Sequence, residues 1–588
     1  MKFYNLASLA LIALSLVACN GGKELPKGTV FNEPDAPNAP SSVQEWDKLA
    51  QGVNVSWGSS YERYNRDCIP QVTPSEELNL TAWKNERLSA QLVLWTKDSI
   101  NNLQIKITDL KSESGVVNSD AVKCFYVRNV LADEFLGGCG HKEKKNETAH
   151  LVPDCLEEFS SMYVSAKSTR GYWLSINLPS DASAGEYSGE VQIMTDGKTV
   201  QTLRLNVNVL NRELPSPQNW SYHLDLWQNP YAVARYHGLE LWSAEHFEKM
   251  KPLYRMLANA GQKCITTTVV NRAWGGQTYD EFGSMVKHTL KKDGTWAFDY
   301  NVFDKWVEFA ISLGIKEQIN CYSLIPWGNQ LWYFDEATSK DTFIEANASS
   351  KEYAQYWTPF LEDFSKHLKD KGWFDISSIA MDERPLEDMK HAVDLINAHS
   401  GLKITSAANY NPGISGNIYD LSVESKHMLP AEVLKQRKDN GKKTTFYVCC
   451  SAEYPNNFTF SPPAEGVWQG WYSYAKDLDG FLRWAYNSWV EEPMQDTRFK
   501  TWPAGDTFFA YPDAKSSVRF EALREGIQDY EKLRILVQEL SKSSEAEDIA
   551  KQEAIKALLS EFEVSKLGED GALEVIVKGK TLLNRARL

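Results

Sequence analysis

The sequence predicts two folded units in series, an antiparallel β-sandwich followed by a (β/α)8-type barrel with a helical C-terminal extension. Three observations lead to this prediction. The chain has 588 residues, which exceeds what one hydrophobic core usually organises. Before about residue 211 the apolar residues alternate with a period of two, which is typical of strands. After about residue 219 short apolar runs alternate with helical patterns, as in a barrel of parallel strands.

The amino terminus has the pattern of an export signal. Lys2 precedes an apolar run of about a dozen residues, which is too short for a membrane-spanning helix. The run ends in Leu16-Val17-Ala18-Cys19, which resembles the lipobox of bacterial lipoprotein precursors. The resemblance implies that residues 1–18 are removed and that Cys19 is acylated, whereas an ordinary signal peptide with a chance cysteine is the alternative. Residues 19–42 are rich in Gly, Pro, Asn and Lys and predict a flexible tether.

We therefore expect an exported bacterial lipoprotein, periplasmic or on the cell surface, that meets the membrane through its lipid anchor only. The net charge is −15, and no basic stripe is present. Nucleic acids and anionic membrane surfaces both require clustered Lys and Arg, so neither is an expected partner.

Residues 43–211 form the predicted β-sandwich. Runs with two-residue periodicity indicate antiparallel strands, and Asp196-Gly197 lies where a two-residue hairpin turn belongs. The pattern breaks at Leu214-Pro215-Ser216-Pro217, which marks the predicted domain boundary. The predicted strands are Leu88–Thr96, Leu103–Thr108, Tyr172–Leu178, Gly189–Thr195 and Val200–Val209.

Residues 219–516 form the predicted barrel. The sixth of its eight apolar runs is the weakest, so an incomplete barrel is the alternative. The predicted strands are Tyr222–Trp227, Cys264–Val270, Glu317–Tyr322, Ser378–Met381, Ile404–Ala407, Ile418–Val423, Thr444–Cys449 and Gly480–Ala485. The predicted helices include Ala244–Ala260, Val302–Leu313, Lys351–Lys369, Leu386–His399 and Pro430–Asn440. Residues 517–588 are predicted to be helical and to pack on the barrel, with the strongest periodicity at Arg519–Gln538.

Eight cysteines remain besides Cys19, and an exported protein can form disulfides. The sequence does not determine their pairing, and Cys139 with Cys155, across a polar loop, is the first pair to expect. No C-x-x-C occurs, and His141 near Cys139 lacks partners at usable spacing, so we expect no metal site. Because no Gly-rich phosphate loop, G-x-S-x-G elbow or H-E-x-x-H helix is present, no cofactor is expected.

The residues that best fit catalysis are Asp382 and Glu383. Four Asp-Glu pairs occur, but only this one closes an apolar strand, at Ser378–Met381, and leads into a helix. Working groups of such barrels lie at the carboxyl ends of strands, where the loops converge. A purely structural role is the alternative, in which Glu383 caps the next helix and Arg384 pairs with Asp382.

Three longer motifs strengthen the catalytic interpretation, because together they resemble the signatures of glycoside hydrolase family 123. Trp502-Pro503-Ala504-Gly505-Asp506 and Tyr511-Pro512 fit the same family pattern. Family members are β-N-acetylgalactosaminidases, and the resemblance implies that activity here. The motifs are Met381-Asp382-Glu383-Arg384-Pro385, Phe481-Leu482-Arg483-Trp484-Ala485-Tyr486-Asn487-Ser488-Trp489 and the stretch from Val518 to Glu531.

The resemblance also implies a mechanism in which the 2-acetamido group of the substrate is the nucleophile, so that the protein supplies none. Asp382 would hold the amide N–H and stabilise the oxazolinium ring. Glu383 would protonate the leaving oxygen and later accept a proton from water. These tasks need opposite protonation states. Two neighbouring carboxyl groups favour such states, because ionising both of them side by side costs free energy.

The substrate pocket is expected to use aromatic and amide side chains near the strand ends, although each of them also suits a packed core. The charged residues Arg519, Glu521, Arg524 and Asp529 either contact substrate or form ion pairs that fix their helix to the barrel. The expected pocket residues are His223, Asp225, Trp227, Tyr322, Asn409, Tyr410, Trp484, Asn487 and Trp489.

Two further functions are alternatives to substrate-assisted hydrolysis of a terminal β-linked N-acetylgalactosamine. One is a retaining glycosidase with a separate carboxylate nucleophile, Glu424 or Glu453, near the sixth and seventh strand ends. The other is a glycan-binding lipoprotein whose barrel has lost catalysis, against which the intact Asp382-Glu383 pair argues.

Overall fold

A computed structural model describes residues 27–35, 37, 45–140, 143–568 and 571–584. The predicted signal peptide, the predicted acylation site Cys19 and most of the predicted tether lie outside the described residues. Among the described helices, none is long and apolar enough to cross a membrane.

The N-terminal unit consists of two β-sheets that share one apolar core. One sheet has the strand order β1-β3-β10-β7-β8, and the other has the order β2-β12-β11-β4-β9 with β5 and β6 at its side. All pairings are antiparallel except that of β2 with β12. The strands are β1 Val53–Gly58, β2 Glu77–Lys84, β3 Arg87–Thr96, β4 Ile100–Ile107, β5 Leu110–Ser112, β6 Gly115–Val117, β7 Val122–Ala132, β8 His150–Glu158, β9 Met162–Val164, β10 Ser168–Asn177, β11 Gly185–Thr195 and β12 Lys198–Glu213.

The core between the two sheets explains the two-residue period of the sequence. Leu92 and Leu174 of the first sheet pack in one buried cluster with Val191 and Leu205 of the second. Because successive strand residues point to opposite faces, every second residue enters this layer. All five predicted strands of the region are present, as β3, β4, β10, β11 and β12.

The second unit is a nearly closed barrel of eight parallel strands in the order β13-β24-β23-β22-β21-β20-β17-β14. The ring closes between β13 and β14 through a single bridge, Leu224 to Gln262. The strands from here on are β13 His223–Leu226, β14 Cys264–Thr268, β15 Lys287–Leu290, β16 Trp296–Asp299, β17 Gln318–Tyr322, β18 Gln330–Asp335, β19 Lys340–Glu345, β20 Ser377–Met381, β21 Lys403–Ala407, β22 Asp420–Glu424, β23 Lys443–Tyr447 and β24 Gly480–Arg483.

All eight predicted barrel strands are confirmed, including the weak sixth one, which is β22. The sequence did not predict a separate four-stranded sheet of β16, β15, β18 and β19. It is built from the loops that follow β14 and β17, so it adds structure at the carboxyl end of the barrel.

Helices connect the barrel strands and continue to the C-terminus. Several begin with a side-chain cap, such as Ser243 before α2 and Ser517 before α8, which satisfies a free backbone N–H. The helices are α1 Pro230–His237, α2 Ala244–Ala258, α3 Asn301–Ser312, α4 Lys351–Lys371, α5 Leu386–His399, α6 Ala431–Asp439, α7 Ala464–Ala475, α8 Val518–Leu540, α9 Ala546–Leu559 and α10 Gly571–Asn584.

The two units are joined by buried polar contacts. Arg519 of α8 donates from Nε to Oδ2 of Asp154 in β8 over 3.0 Å, and Tyr511 donates to the same oxygen over 2.8 Å. Arg519 and Asp154 are both almost completely buried. The N-terminal unit therefore supplies the counter-charge for an arginine of the C-terminal helices.

The expected disulfide between Cys139 and Cys155 is wrong. Cys139 is bonded to Cys450, which lies after β23, whereas Cys155 is free and buried. Cys155 belongs to β8, where it packs into the same apolar core as the barrel residues. The loop that carries Cys139 instead reaches the carboxyl end of the barrel and meets Cys450 there.

Candidate active site

A cavity of about 210 Å³ opens where the carboxyl ends of the barrel strands meet. The loops after the strands converge at this end, which is where barrels of this type bind their ligands. Cys139 of the N-terminal unit contributes to the wall. The wall also includes five tryptophans and three carboxyl groups, namely Trp227, Trp274, Trp327, Trp484, Trp502, Asp382, Glu383 and Asp506.

Asp382 follows β20 directly, and two donors hold its carboxylate. Arg384 Nη2 donates to Oδ1 over 2.7 Å, and Trp327 Nε1 donates to Oδ2 over 2.8 Å. Burial raises the pKa of Asp382 to about 7, against the opposing effect of the Arg384 charge. The carboxyl group therefore has a fixed orientation and changes its charge near neutral pH.

Glu383 is exposed beside the cavity and receives a hydrogen bond from the hydroxyl of Tyr447. Tyr447 is the last residue of β23, so the two partners come from different barrel strands. Burial and then the charge of Glu383 raise the pKa of Tyr447, so the phenol stays protonated and continues to donate. The adjacent carboxyl groups thus have different surroundings, since Asp382 is enclosed and Glu383 meets solvent.

Arg384 connects this pair to the loop after β17. Its Nε donates to the carbonyl oxygen of Ile325 over 3.0 Å, and its guanidinium lies 4.3 Å from the centre of the Trp327 ring. The expected pairing of Arg384 with Asp382 is confirmed, but Glu383 does not cap α5, which begins without a side-chain cap. Glu383 is therefore free of the structural role that was its alternative.

The aromatic walls form two groups. In the first, the rings of Trp227 and Trp274 stack with centres 5.0 Å apart, and Tyr322 lies 4.5 Å from Trp227. In the second, Trp484 meets Trp502 edge to face at 5.8 Å. The indole of Trp502 donates to the carbonyl oxygen of Gln277 over 2.8 Å, which links the loops after β24 and β14. Such faces suit the apolar faces of a sugar ring.

Asp506 is the third carboxyl group of the wall. Arg483 Nη2 donates to its Oδ1 over 2.7 Å, and both side chains are fully buried. Burial raises the pKa of Asp506, while the charge of Arg483 lowers it. Asp506 lines the cavity together with Trp484 and Trp502, and its charge is balanced by Arg483.

The structure brings only some of the predicted pocket residues to the cavity. Trp227 and Trp484 line it, and Tyr322 packs behind Trp227. Asn409 and Tyr410 lie in the loop after β21 and do not line the cavity, whereas Ala407, the last residue of β21 itself, does. They are exposed and half-buried respectively.

The remaining predicted pocket residues lie away from the cavity, and their polar atoms are hydrogen-bonded to other parts of the protein. The Asn487 amide donates to the carbonyl oxygen of Asn229 over 2.8 Å, and the Trp489 indole donates to Ala510 over 2.7 Å. His223 is buried with its Nε2 2.9 Å from Oδ2 of Asp420, and both are the first residues of their strands, so they lie at the amino end of the barrel, opposite the cavity. None of these three residues lines the cavity.

Asp225 belongs to the same polar centre as His223. Asn320 donates to its Oδ2 over 3.0 Å, and burial together with the charge of Asp420 raises the pKa of Asp225 to about 7. The sulfur of Cys264 lies 3.5 Å from His223 Nε2. His223, Cys264 and Asp420 have the types and closeness of metal ligands, but their contacts are those of a hydrogen-bonded core.

The alternative nucleophiles Glu424 and Glu453 do not line the cavity. Glu424 is buried and accepts from the backbone N–H of Lys426 over 3.0 Å, with His427 Nδ1 at 2.9 Å from the same oxygen. Glu453 is exposed in another surface depression, beside Lys426. Within the described chain, the carboxyl groups of the cavity wall are Asp382, Glu383 and Asp506. Asp506 is paired with the fully buried Arg483, which leaves Asp382 and Glu383 as the candidate catalytic groups.

The charged motif on α8 forms ion pairs, as one of the two expectations had it, but the pairs join the helix to the N-terminal unit and to α10 and not to the barrel. Besides Arg519 with Asp154, Glu521 pairs with Arg87 at 3.1 Å, and Asp529 pairs with Lys580 at 2.7 Å. All these contacts are made with other parts of the protein, and none of the four residues lines the cavity.

Sequence reasoning missed Trp274, Trp327, Tyr447, Trp502 and Asp506 as wall residues. Two signals were available: Tyr447 ends an apolar strand, and Trp502 with Asp506 belongs to a motif that fits the family pattern. Trp274 and Trp327 lie in long loops after β14 and β17, where no periodicity marks their position.

A parallel barrel with two adjacent carboxyl groups in a tryptophan-walled cavity at the carboxyl ends of its strands defines a glycoside hydrolase. The model of the glycoside hydrolase 123 catalytic domain matches residues 227–536, and that of the glycoside hydrolase 123 N-terminal domain matches residues 57–195. The chain belongs to glycoside hydrolase family 123.

One solved structure agrees with this membership. A family 123 glycoside hydrolase from Clostridium perfringens, studied for glycolipid glycan hydrolysis, has 29% sequence identity and a TM-score of 0.81. The match covers 91% of this chain and 98% of that one. A Bacteroides ovatus GH5 xyloglucanase has 9% identity and a TM-score of 0.27 over 81% of this chain and 100% of its own. The comparison with curated proteins found no match.

Proposed function

We propose that the enzyme is an exo-acting, retaining β-N-acetylgalactosaminidase that uses the 2-acetamido group of its substrate as the nucleophile. One observation carries the proposal. Asp382 is held by Arg384 and Trp327, while its neighbour Glu383 is exposed and accepts a hydrogen bond from Tyr447. Two adjacent carboxyl groups in such different surroundings suit two different roles.

In the proposed first step, the carboxylate of Asp382 accepts the amide N–H of the acetamido group. The carbonyl oxygen of that group then attacks the anomeric carbon, and the bond to the leaving oxygen breaks. Glu383 donates its proton to the leaving oxygen, which completes the leaving group. The negative charge of Asp382 offsets the positive charge of the oxazolinium ring that forms.

In the second step, Glu383 takes a proton from water, and the resulting nucleophile opens the oxazolinium ring at the anomeric carbon. Two displacements at one carbon restore the original configuration, so the product keeps the β-anomeric form. Tyr447 donates to Glu383 and holds it at the cavity throughout the cycle. Its phenol cannot replace Glu383 as the acid, because its own pKa is raised.

The size of the cavity supports removal of one sugar at a time. Its volume of about 210 Å³ suits a single hexosamine ring, and its tryptophans offer faces on which the ring can stack. A glycan bound inside a longer cleft would need a wall open at both sides. The Clostridium perfringens relative acts on glycolipid glycans, and we extend that substrate class to this enzyme.

The two alternatives have less support. A separate protein nucleophile would have to be Glu424 or Glu453, and neither lines the cavity, while Asp506 is paired with Arg483. A binding protein without catalysis would not need to hold Asp382 in a fixed orientation near its titration point. Export and lipid anchoring through Cys19 complete the proposal, with the enzyme at the cell envelope.

A panel of aryl glycosides tests the proposal, using protein that lacks residues 1–19. We expect turnover of the β-N-acetylgalactosaminide and almost none of the matching β-galactoside with a plain 2-hydroxyl, because no attacking group remains. Hydrolysis of both at similar rates indicates a protein nucleophile, and binding without any turnover indicates the non-catalytic alternative. Proton NMR of the first-formed sugar then identifies the anomer, and initial release of the α-anomer contradicts the double displacement.

A further inference from the structure

Three cysteine sulfurs meet in the wall of the cavity, on the side of Tyr447. Cys139 and Cys450 form the disulfide, and the thiol of Cys449 is free and half-buried. The three sulfur positions all lie within 4.8 Å of one another. A free thiol this close to a disulfide has the arrangement that thiol–disulfide exchange requires.

We propose that Cys139, Cys449 and Cys450 form a thiol–disulfide exchange site, in which Cys139 alternates between the two neighbouring cysteines of the barrel. The thiol of Cys449 first loses its proton to solvent. Its thiolate attacks Sγ of Cys139, so that the Cys139–Cys449 bond forms while the Cys139–Cys450 bond breaks. Cys450 leaves with the electron pair and takes up a proton. The step is an isomerisation and consumes no oxidant or reductant.

The positions of the three cysteines in the chain favour this direction of attack. Cys139 lies in a loop of the N-terminal unit, whereas Cys450 is the residue next to Cys449. Attack on Cys450 would instead form a disulfide between the consecutive residues Cys449 and Cys450, and it would release the loop that carries Cys139. Exchange through Cys139 keeps that loop tied to the barrel in both pairings.

The surroundings of Cys449 set the pH dependence of the exchange. Burial raises the pKa of its thiol, and the carboxylates of Asp506 and Glu383 raise it further, while Ser451 at 3.2 Å opposes them. Arg483 is the buried cation that faces it from β24. The thiolate is therefore scarce at neutral pH, and its fraction grows about tenfold per pH unit below the pKa.

The pairing also bears on the proposed acid. Tyr447, which donates to Glu383, lies two residues before Cys449 on the segment that carries both exchanging sulfurs. When the disulfide partner of Cys139 changes from Cys450 to Cys449, the loop that carries Cys139 is attached one residue closer to Tyr447. The two disulfide forms therefore differ in how that tyrosine is held, and we expect them to differ in turnover.

Peptide mapping tests the exchange without any substrate, so its result is separate from that of the proposed function. The full-length protein is incubated without reductant between about pH 6 and about pH 9, quenched with acid, alkylated after denaturation at acid pH and digested with pepsin. Fragment ions distinguish an alkyl group on Cys449 from one on Cys450. We expect a fraction of molecules labelled on Cys450, with Cys139 joined to Cys449, and faster approach to that mixture at higher pH.

Two serine variants complete the experiment. Cys449→Ser allows only the Cys139–Cys450 pair and must show no label on Cys450, whereas Cys450→Ser supplies the Cys139–Cys449 form as a standard. We expect the two variants to differ at least about threefold in turnover of whichever glycoside the wild type hydrolyses. Label on Cys449 alone in the wild type at every pH overturns the proposal, even if Cys450→Ser fails to fold. Label on all three cysteines, which means that no disulfide is present, overturns it as well.

Discussion

The indole N–H of Trp327 and the carboxylate of Asp382 are joined by a hydrogen bond of 2.8 Å between residues 55 positions apart. The tryptophan is 42% exposed at the cavity mouth, whereas the carboxyl group is largely enclosed. This hydrogen bond therefore connects the exposed indole of Trp327, which a ligand can contact, with the carboxylate of Asp382 beside the proposed reaction centre. Arg384, which binds both partners, makes the three residues a single unit.

Glu383→Gln keeps the size of the side chain but removes its transferable proton. We expect turnover on a disaccharide to fall by roughly 10²- to 10⁴-fold, the usual contribution of general acid–base catalysis. The loss should shrink on an aryl glycoside whose leaving group needs little protonation. Steady-state kinetics on both substrates measure the difference, with Glu387→Gln, an exposed residue of α5, as the matched control. Near wild-type turnover of the disaccharide removes Glu383 from the mechanism.

Asp382→Asn removes the negative charge that offsets the oxazolinium ring. We expect weaker catalysis and weaker binding of a stable thiazoline analogue of that ring, because enzymes bind transition-state-like species more tightly than ground states. Calorimetric titration of the thiazoline into both proteins measures the change, and exposed Asp394→Asn is the matched control. Unchanged thiazoline affinity in Asp382→Asn means that the aspartate does not face the developing cation.

The titration of Asp382 predicts the acidic limb of the pH profile. Burial raises its pKa to about 7, and the mechanism needs its charged form. Activity is therefore present above this pKa and is lost as pH falls through it, by about tenfold in kcat/KM per unit at lower pH. Arg384→Gln removes the charge that lowers this pKa, so its limb should move to higher pH. The measurement is kcat/KM against pH, with the exposed Arg272→Gln as control, and a limb that moves to lower pH contradicts the assignment.

Acylation of Cys19 predicts membrane partition of the full-length protein in a suitable bacterial host. Cys19→Ser removes the thiol that would carry the lipid, so we expect loss of both lipid attachment and the associated cleavage. Fractionation and mass spectrometry of the intact protein follow the two effects. An acyl group that persists in the variant is incompatible with the anchor.

The features that the sequence predicted correctly are those that depend on residues close together in the chain. Strands such as β10 and β20 show their burial directly in the apolar pattern, and Asp382 with Glu383 is recognisable because a charged pair closes one of them. Such features need only neighbouring residues, so one chain is enough to find them.

The parts that remained hidden depend on distant segments. Trp489 was expected to face a ligand and Trp274 was not, but Trp274 lines the cavity and Trp489 does not. The two side chains are chemically identical, so only the path of the chain around each one decides whether it packs in the core or faces the cavity. Cys139 and Cys450 are separated by 311 residues, so their pairing depends on how the N-terminal loop meets the barrel. Tyr447 could be placed at the end of an apolar strand, but its role is defined by its contact with Glu383, which lies 64 positions away in the sequence.

The buried contact of Arg519 with Asp154 makes the stability of the two units interdependent. If the chain were cut at the predicted boundary near Pro215, Arg519 would lose its counter-charge and keep only its hydrogen bonds to the carbonyl oxygens of Asn457, Gly505 and Phe508. The surface of α8 that packs against β3 and β8 would also be exposed to water, so both effects lower the stability of a separated barrel. The whole protein should consequently melt in one cooperative transition, and an isolated barrel should be a poor substitute for the intact enzyme in any measurement.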